Sequence, residues 1–265
     1  MKKSALLSSL LLSLMLTACG GGGGGGGDWG NPDQNNNPGG GSPTTTNSTA
    51  QGFYSGTTSS GYELKTLVLE NDHYWSLYGY TVNGLFDAYG VLQGSGTANN
   101  GSFTSTNLRN FDFNGVIAAY SLSASYQTGA SLNGSITDGT GTITFASSVP
   151  LASTYNYNMA ANLGNLAGAW PMTDLDGYGV TLNIAANGTF SGSSGGCNFS
   201  GTLAPRASGK NVFDLALVYG GAPCPAPNQA QTGIAVEYLV AGGRQLLMAS
   251  VDSSRSRATG LVGVR

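Results

Sequence analysis

Leu64-Lys65-Thr66-Leu67-Val68-Leu69-Glu70, then Asn71-Asp72, then His73-Tyr74-Trp75-Ser76-Leu77-Tyr78-Gly79-Tyr80, is the stretch that decides the fold class. Both runs are rich in β-branched, aliphatic and aromatic residues, and the Asn-Asp between them has turn chemistry. An antiparallel hairpin is the expectation. Side chains alternate across a strand, so Tyr74, Tyr78 and Tyr80 share one face and His73, Trp75 and Leu77 the other.

The same period continues outward. Residues 86–93, 117–126, 131–137 and 142–146 read as further strands, and Asn-Gly pairs beginning at Asn83, Asn100, Asn114, Asn133 and Asn187 read as tight turns. No stretch carries a sustained 3.6-residue apolar stripe, so helix should be nearly absent. A weak repeat is visible: Gly52-Phe53-Tyr54 opens one series, and Gly168-Ala169-Trp170 opens a second. The second series runs through 180–190, 197–212, 233–240, 244–251 and 258–264, enough short strands to close a small barrel and leave no edge. The fold expected is all-β: two small antiparallel up-and-down β barrels in tandem, residues 52–158 and 163–265, after a disordered Gly-rich tether. One continuous β-sandwich is the competing architecture. Tyr155-Asn156-Tyr157-Asn158 reads as a last strand entering the interdomain linker, with no site implied.

The N-terminus gives the address. Lys2 and Lys3 precede an apolar run over 5–16 that is too short to span a bilayer as a mature helix. Leu16-Thr17-Ala18-Cys19 follows and resembles a bacterial lipobox. The resemblance implies a signal peptide over 1–18, cleavage before Cys19, and acylation of Cys19 by palmitate and related chains. An ordinary secretory signal with a chance cysteine is the alternative. Gly20 after the cysteine, in place of Asp, implies sorting to the outer membrane. Residues 20–27 are all glycine, and 28–51 hold almost nothing to bury, so 19–51 is read as lipidated Cys19 plus a flexible tether. Its reach is about 30 Å. Trp29 within it is equally an interfacial anchor or a chance aromatic.

Composition excludes some classes. Charged residues are 9% of the chain and apolar ones 40%. Loss of Lys2 and Lys3 on cleavage takes the net charge from −3 to −5. A sparse, net-negative charge disfavours nucleic acid, which wants clustered Lys and Arg. With Cys19 assigned to lipid, Cys197 and Cys224 form an even pair in an oxidising envelope, which makes a disulfide the default. Two buried free thiols are the alternative. Their spacing does not suit redox work, and a pair of sulfurs without histidine does not close a zinc site.

Catalytic signals are weak. His73, the one histidine, could pair with Asp72, but a turn-flanking surface histidine is the plainer reading. Gly192-Ser193-Ser194-Gly195-Gly196 matches G-x-S-x-G without the following histidine or helix that a hydrolase elbow needs. There is no phosphate-cradling glycine loop, and Glu63, Glu70 and Glu237 are too scattered to imply a carboxylate pair. No enzyme activity, cofactor or metal is expected. Tyr74, Tyr78 and Tyr80 form a candidate aromatic binding patch, since rings with polar tips suit a glycan or a protein partner. A barrel wall whose rings serve core and rim is the stronger competing reading.

Gly196-Cys197-Asn198-Phe199-Ser200-Gly201, preceded by Asn187-Gly188-Thr189-Phe190, resembles the Gly-Cys-Asn…Ser-Gly signature of META-domain envelope lipoproteins, with one residue fewer before the Ser-Gly than that family usually has. Ser208 to Asp214 and Gly220-Gly221-Ala222-Pro223-Cys224 are similar to uncharacterised Gram-negative tandem β-barrel lipoproteins. Neither resemblance implies a catalytic residue. The expectation is an outer-membrane lipoprotein, lipid-anchored on the surface or periplasmic face, with a non-catalytic binding or envelope-structural role and a protein or glycan partner. The alternatives are a periplasmic carrier of a small apolar ligand in a barrel lumen, and a hydrolase that uses His73.

Overall fold

The computed structural model describes residues 49–112 and 117–265. The leader, Cys19, Trp29, the glycine run and the Asn114 turn lie outside them. Among the described residues no helix is long and apolar enough to cross a membrane. A short 3-10 turn, Leu163–Asn165, stands among β-strands.

Barrel 1 is built from β1 (Gly52–Thr58), β2 (Glu63–Val68), β3 (His73–Val82), β4 (Leu85–Ser95), β6 (Ser102–Asp112), β7 (Ile117–Gln127), β8 (Ser131–Thr137) and β9 (Thr142–Ser148), closed by the pairings β1–β9 and β4–β6. The three-residue β5 (Thr97–Asn99) pairs with β6. Barrel 2 closes β10 (Gly168–Asp174), β11 (Gly179–Ile184), β12 (Thr189–Ser194), β13 (Cys197–Pro205), β14 (Phe213–Tyr219), β15 (Ala230–Val240), β16 (Gly243–Val251) and β17 (Ala258–Val264) in chain order. All the ladders are antiparallel neighbours in sequence, apart from the closures and the β4–β6 step. Two closed barrels replace the sandwich alternative.

Local chemistry explains the elements. Asn83-Gly84 and Asn100-Gly101 have positive φ at both residues (53° and 80°; 46° and 82°), the geometry of a hairpin turn that matches strand twist. Asp72 (φ 59°) closes the turn between β2 and β3. Asn133-Gly134 is a correction to the turn reading, because it lies inside β8. There Asn133 pairs with Ser125 and Ala146, and a Cβ on Gly134 would lie 2.3 Å from the Ser123 carbonyl. The glycine serves close strand approach instead of a turn. The strand β6 carries a register shift between Ser105 and Leu108, which breaks the alternation that would have marked it.

Each barrel encloses its own apolar core. Tyr54, Phe103, Leu108 and Leu132 fill barrel 1, and Trp170, Leu182, Phe213 and Leu246 fill barrel 2. A further cluster joins them: Phe53, Leu67, Trp75, Leu77 and Val91 on the outside of barrel 1 meet Ile234, Val236, Tyr238, Leu247 and Val262 on the outside of barrel 2. These strands are therefore buried on both faces. Tyr74 and Ser76 face the lumen while Trp75 and Leu77 face the other barrel, so the run reads as continuously buried.

Residues 149–162 form no strand, a correction to the reading of Tyr155 to Asn158. The rings of Tyr155 and Tyr157 are instead buried in the joint between barrels, with Tyr155 4.8 Å from the Phe53 ring and its hydroxyl donating to the Asn211 carbonyl. Alternating rings and amides here mark a packed linker. Thr49–Gln51, assigned to the tether from composition, packs on barrel 1: Ala50 is fully buried and its carbonyl accepts the Tyr54 hydroxyl at 2.9 Å.

Candidate functional site

The tyrosines of β3 do share one face, and that face is the lumen of barrel 1. Tyr74 lies deep in it, its hydroxyl donating to Ser105 Oγ at 2.9 Å, and burial pushes its pKa up to about 12 against the pull of that bond. Tyr78 sits higher, its ring over Gly90, where a Cβ would come within 2.3 Å. Tyr80, 38% exposed, reaches the rim. The structure thus separates Tyr74 from the other two and adds Tyr62 and Tyr89. Tyr62 packs 5.3 Å from Tyr78 and 4.9 Å from Tyr80, and Tyr80 packs 5.4 Å from Tyr89. Rings this close leave no room for a guest between them. They plug the mouth of barrel 1, and burial followed by the neighbouring Tyr80 raises the Tyr62 pKa.

Barrel 2 has a different mouth. On β10, β14, β15 and β17, alternation from the core residues Met172, Leu217, Ala235 and Leu261 brings Asp174, Tyr219, Gln231 and Thr259 to the lumen side at one end. Together with Arg257, Leu175 and Asp176 they line a cleft of about 480 Å³, which Phe111 and Asp112 of barrel 1 complete. That volume is in the range of small-ligand sites, and barrel mouths and domain junctions are where such sites recur.

A hydrogen-bonded chain forms the cleft floor. Gln231, 3% exposed, accepts at Oε1 from Thr259 Oγ1 at 2.6 Å and from Ser250 Oγ at 2.8 Å. The Tyr219 hydroxyl stands 2.7 Å from Thr259 Oγ1. Burial raises the Tyr219 pKa, the bond to Thr259 opposes this, and Asp174 and Arg257 add smaller pulls of opposite sign. Asp174 is held by the N–H groups of Tyr178 at 2.8 Å and Asp176 at 3.1 Å, yet burial leaves its pKa raised.

The other sequence candidates are placed as follows. Cys197 and Cys224 form a disulfide that pins the loop carrying Pro225 and Ala226 to the start of β13. His73 is exposed at the start of β3, and the Asp72 carboxylate accepts the Ala98 N–H at 3.0 Å. Ser194 ends β12, and its hydroxyl donates to the Gly179 carbonyl at 2.9 Å in a strand hairpin with no helix after it. Among the described residues no cluster of three or more His, Cys, Asp or Glu is placed to hold a metal. Sequence reasoning missed the cleft residues because they come from four strands and no local motif joins them.

No protein-family model and no curated protein matches this chain. A crystal structure of a protein of unknown function from the DUF3598 family of Nostoc punctiforme is similar at 13% identity and a TM-score of 0.24, covering 81% of this chain and 93% of that one.

Proposed function

We propose that this protein is a lipid-anchored outer-membrane protein whose double-barrel body is a non-catalytic binding module, held on the tether after Cys19 and engaging its partner at the barrel 2 mouth. The observation that carries the binding reading is the contrast between the two mouths. Four packed tyrosines fill one, while the other opens into a cleft of about 480 Å³ with convergent polar groups. The lipobox-like Leu16-Thr17-Ala18-Cys19 and Gly20 support the anchor and its outer-membrane address.

The carrier alternative asks a lumen to hold an apolar molecule. Packing counts against it: the residual cavity inside barrel 1 is about 20 Å³, room for roughly one water. The barrel 2 lumen is filled by Trp170, Phe199, Leu217 and their neighbours, under a polar floor.

Two measurements test the proposal. Cys19→Ala should release the protein from membranes, and continued membrane retention overturns the anchor. Protease shaving of intact cells, with a periplasmic marker as control, should digest the body while the marker survives. Protection until the outer membrane is broken turns the partner search to the periplasm.

A further inference from the structure

Large apolar side chains left in water gather around the linker between the barrels. Leu151 (77% exposed), Met159 (59%) and Val149 (36%) lie in it, and Leu239 (43%) lies near the end of β15. The Leu239 N–H donates to the Thr154 carbonyl at 3.1 Å, and the Tyr155 N–H to the Leu151 carbonyl at 3.0 Å, so Leu151 and Leu239 flank one turn of the linker. The linker is pinned by its inward side, where Tyr155 and Tyr157 enter the joint and Ala161 and Leu163 pack on the barrel 2 core. Leu151 and Met159 are what it turns outward.

This surface lies at the end of barrel 2 away from its cleft. Leu239 leads into the Val240–Gly243 hairpin, whereas β15 begins beside the cleft near Gln231. Lys210, in the loop before β14, and Arg265, after β17, belong to the same end as Leu239. Lys210 Nζ donates to Asn158 Oδ1 at 2.9 Å, and the Arg265 guanidinium donates to the carbonyls of Asn165 at 2.9 Å and Ala167. Neither cation has a carboxylate among these partners, so this end can attract phosphate groups.

The chain also enters the body here. The Thr49 carbonyl accepts the Thr128 hydroxyl at 3.0 Å, and the Val149 N–H donates to the Ala130 carbonyl at 2.9 Å. The entry and the start of the linker therefore meet at the single turn between β7 and β8. Residues 20–48, which join that entry to Cys19, hold Trp29 as their one large apolar side chain, too little to cover the linker surface. An acylated Cys19 would keep the entry within about 30 Å of the bilayer. At the effective concentration such a tether gives, a contact too weak to bind a free protein is enough.

We propose that the linker face of the body docks on the lipid bilayer that holds its anchor. Leu151, Met159 and Leu239 enter the headgroup region, and Lys210 and Arg265 meet lipid phosphates. This rests on the reading of Cys19 as the lipid anchor. Docking by this face turns the barrel 2 mouth away from the membrane and leaves it open to a partner.

The experiment uses the full lipidated chain reconstituted into vesicles of phosphatidylethanolamine and phosphatidylglycerol. With Cys19 acylated and Cys197 bonded to Cys224, Leu151→Cys supplies the one free thiol, which is labelled with nitrobenzoxadiazole. Its emission should shift to the blue on vesicles and be quenched by doxyl-labelled lipid. Labels at Tyr178→Cys, beside the barrel 2 mouth, and at Val82→Cys, on the tip of the β3–β4 hairpin, should stay in water; both positions are exposed. Met159→Asp combined with Leu239→Asp, two exposed changes, should abolish the quenching at position 151 while the chain still floats with the vesicles. A label at 151 that stays in water on a chain that floats overturns the docking and keeps the anchor. A chain that does not float removes the anchor and the docking with it. The inference also fails if the labels at 178 or 82 are quenched as strongly, or if quenching at 151 survives both aspartates. A blue shift without lipid quenching that grows with protein concentration assigns the face to a second copy instead, and overturns docking on lipid.

Discussion

Gln245 of barrel 2 treats Phe86 of barrel 1 as a strand neighbour. Its Nε2 donates to the Phe86 carbonyl at 2.7 Å, and its Oε1 accepts the Phe86 N–H at 3.3 Å and the Tyr238 hydroxyl at 2.6 Å. Gln245 is 1% exposed, so this polar exchange lies inside the apolar joint. Arg255 makes a second crossing, donating to the carbonyls of Gln93 at 2.6 Å and Asn107 at 2.8 Å. A joint of this kind couples the stabilities of the two barrels.

Gln245→Ala should therefore cost about 3 kcal/mol, because it strands a buried N–H and carbonyl of Phe86. Urea unfolding followed by tryptophan fluorescence should show one transition moved to lower urea with an unchanged slope. Two separate transitions in the parent protein would show that the barrels unfold independently and that the joint does not couple them.

The disulfide gives a second prediction. Cys197 and Cys224 are separated by 27 residues. Closing a loop of that length stabilises by about 3–4 kcal/mol on the chain-entropy model. Cys224→Ser should lower the urea midpoint by the corresponding amount, and reductant should lower the parent's midpoint equally while leaving the variant unmoved. A midpoint in the variant equal to the parent's would mean that the bridge adds no stability.

What the sequence made legible follows from the range of each signal. Alternation is local, so β3 and the shared face of Tyr74, Tyr78 and Tyr80 could be read from it. So could the turns at Asn83 and Asn100, where two residues must take positive φ. The turn misread at Asn133 failed because Asn-Gly also suits a strand whose neighbour's backbone comes close. Leu246 to Val251 shows no alternation because both faces are buried, one in the lumen and one in the joint. The cleft was illegible for a third reason: barrel closure brings Asp174 beside Tyr219 and Thr259, and closure is not written in any one segment.

Glycines under aromatic rings give a third prediction. At Gly192 a Cβ would lie 2.2 Å from the Phe199 ring, so the ring must leave its place in the barrel 2 core. Gly192→Ala should cost about 1–3 kcal/mol through overpacking. Gly179→Ala, where nothing lies within 4 Å, should change stability by less than about 0.5 kcal/mol. Equal urea midpoints for the two variants would remove the steric account.

Acid should act through Asp252, which organises the turn that carries Arg255 into barrel 1. Burial would raise its pKa, but the hydroxyls of Ser254 and Ser256 and the N–H groups of Arg257 and Ser256 outweigh it and hold the carboxyl at about 2. The sign is that of a depressed carboxyl. The unfolded state binds the proton more readily, so the stabilisation is complete above the unfolded pKa of about 3.9 and is lost as pH falls toward 2. Urea midpoints taken between pH 5 and pH 2 should fall for the parent. Asp252→Asn should start lower and lose less over the same interval, since its amide does not titrate. If parent and variant fall in parallel, the acid sensitivity belongs to other carboxyls, and the turn does not depend on Asp252 being ionised.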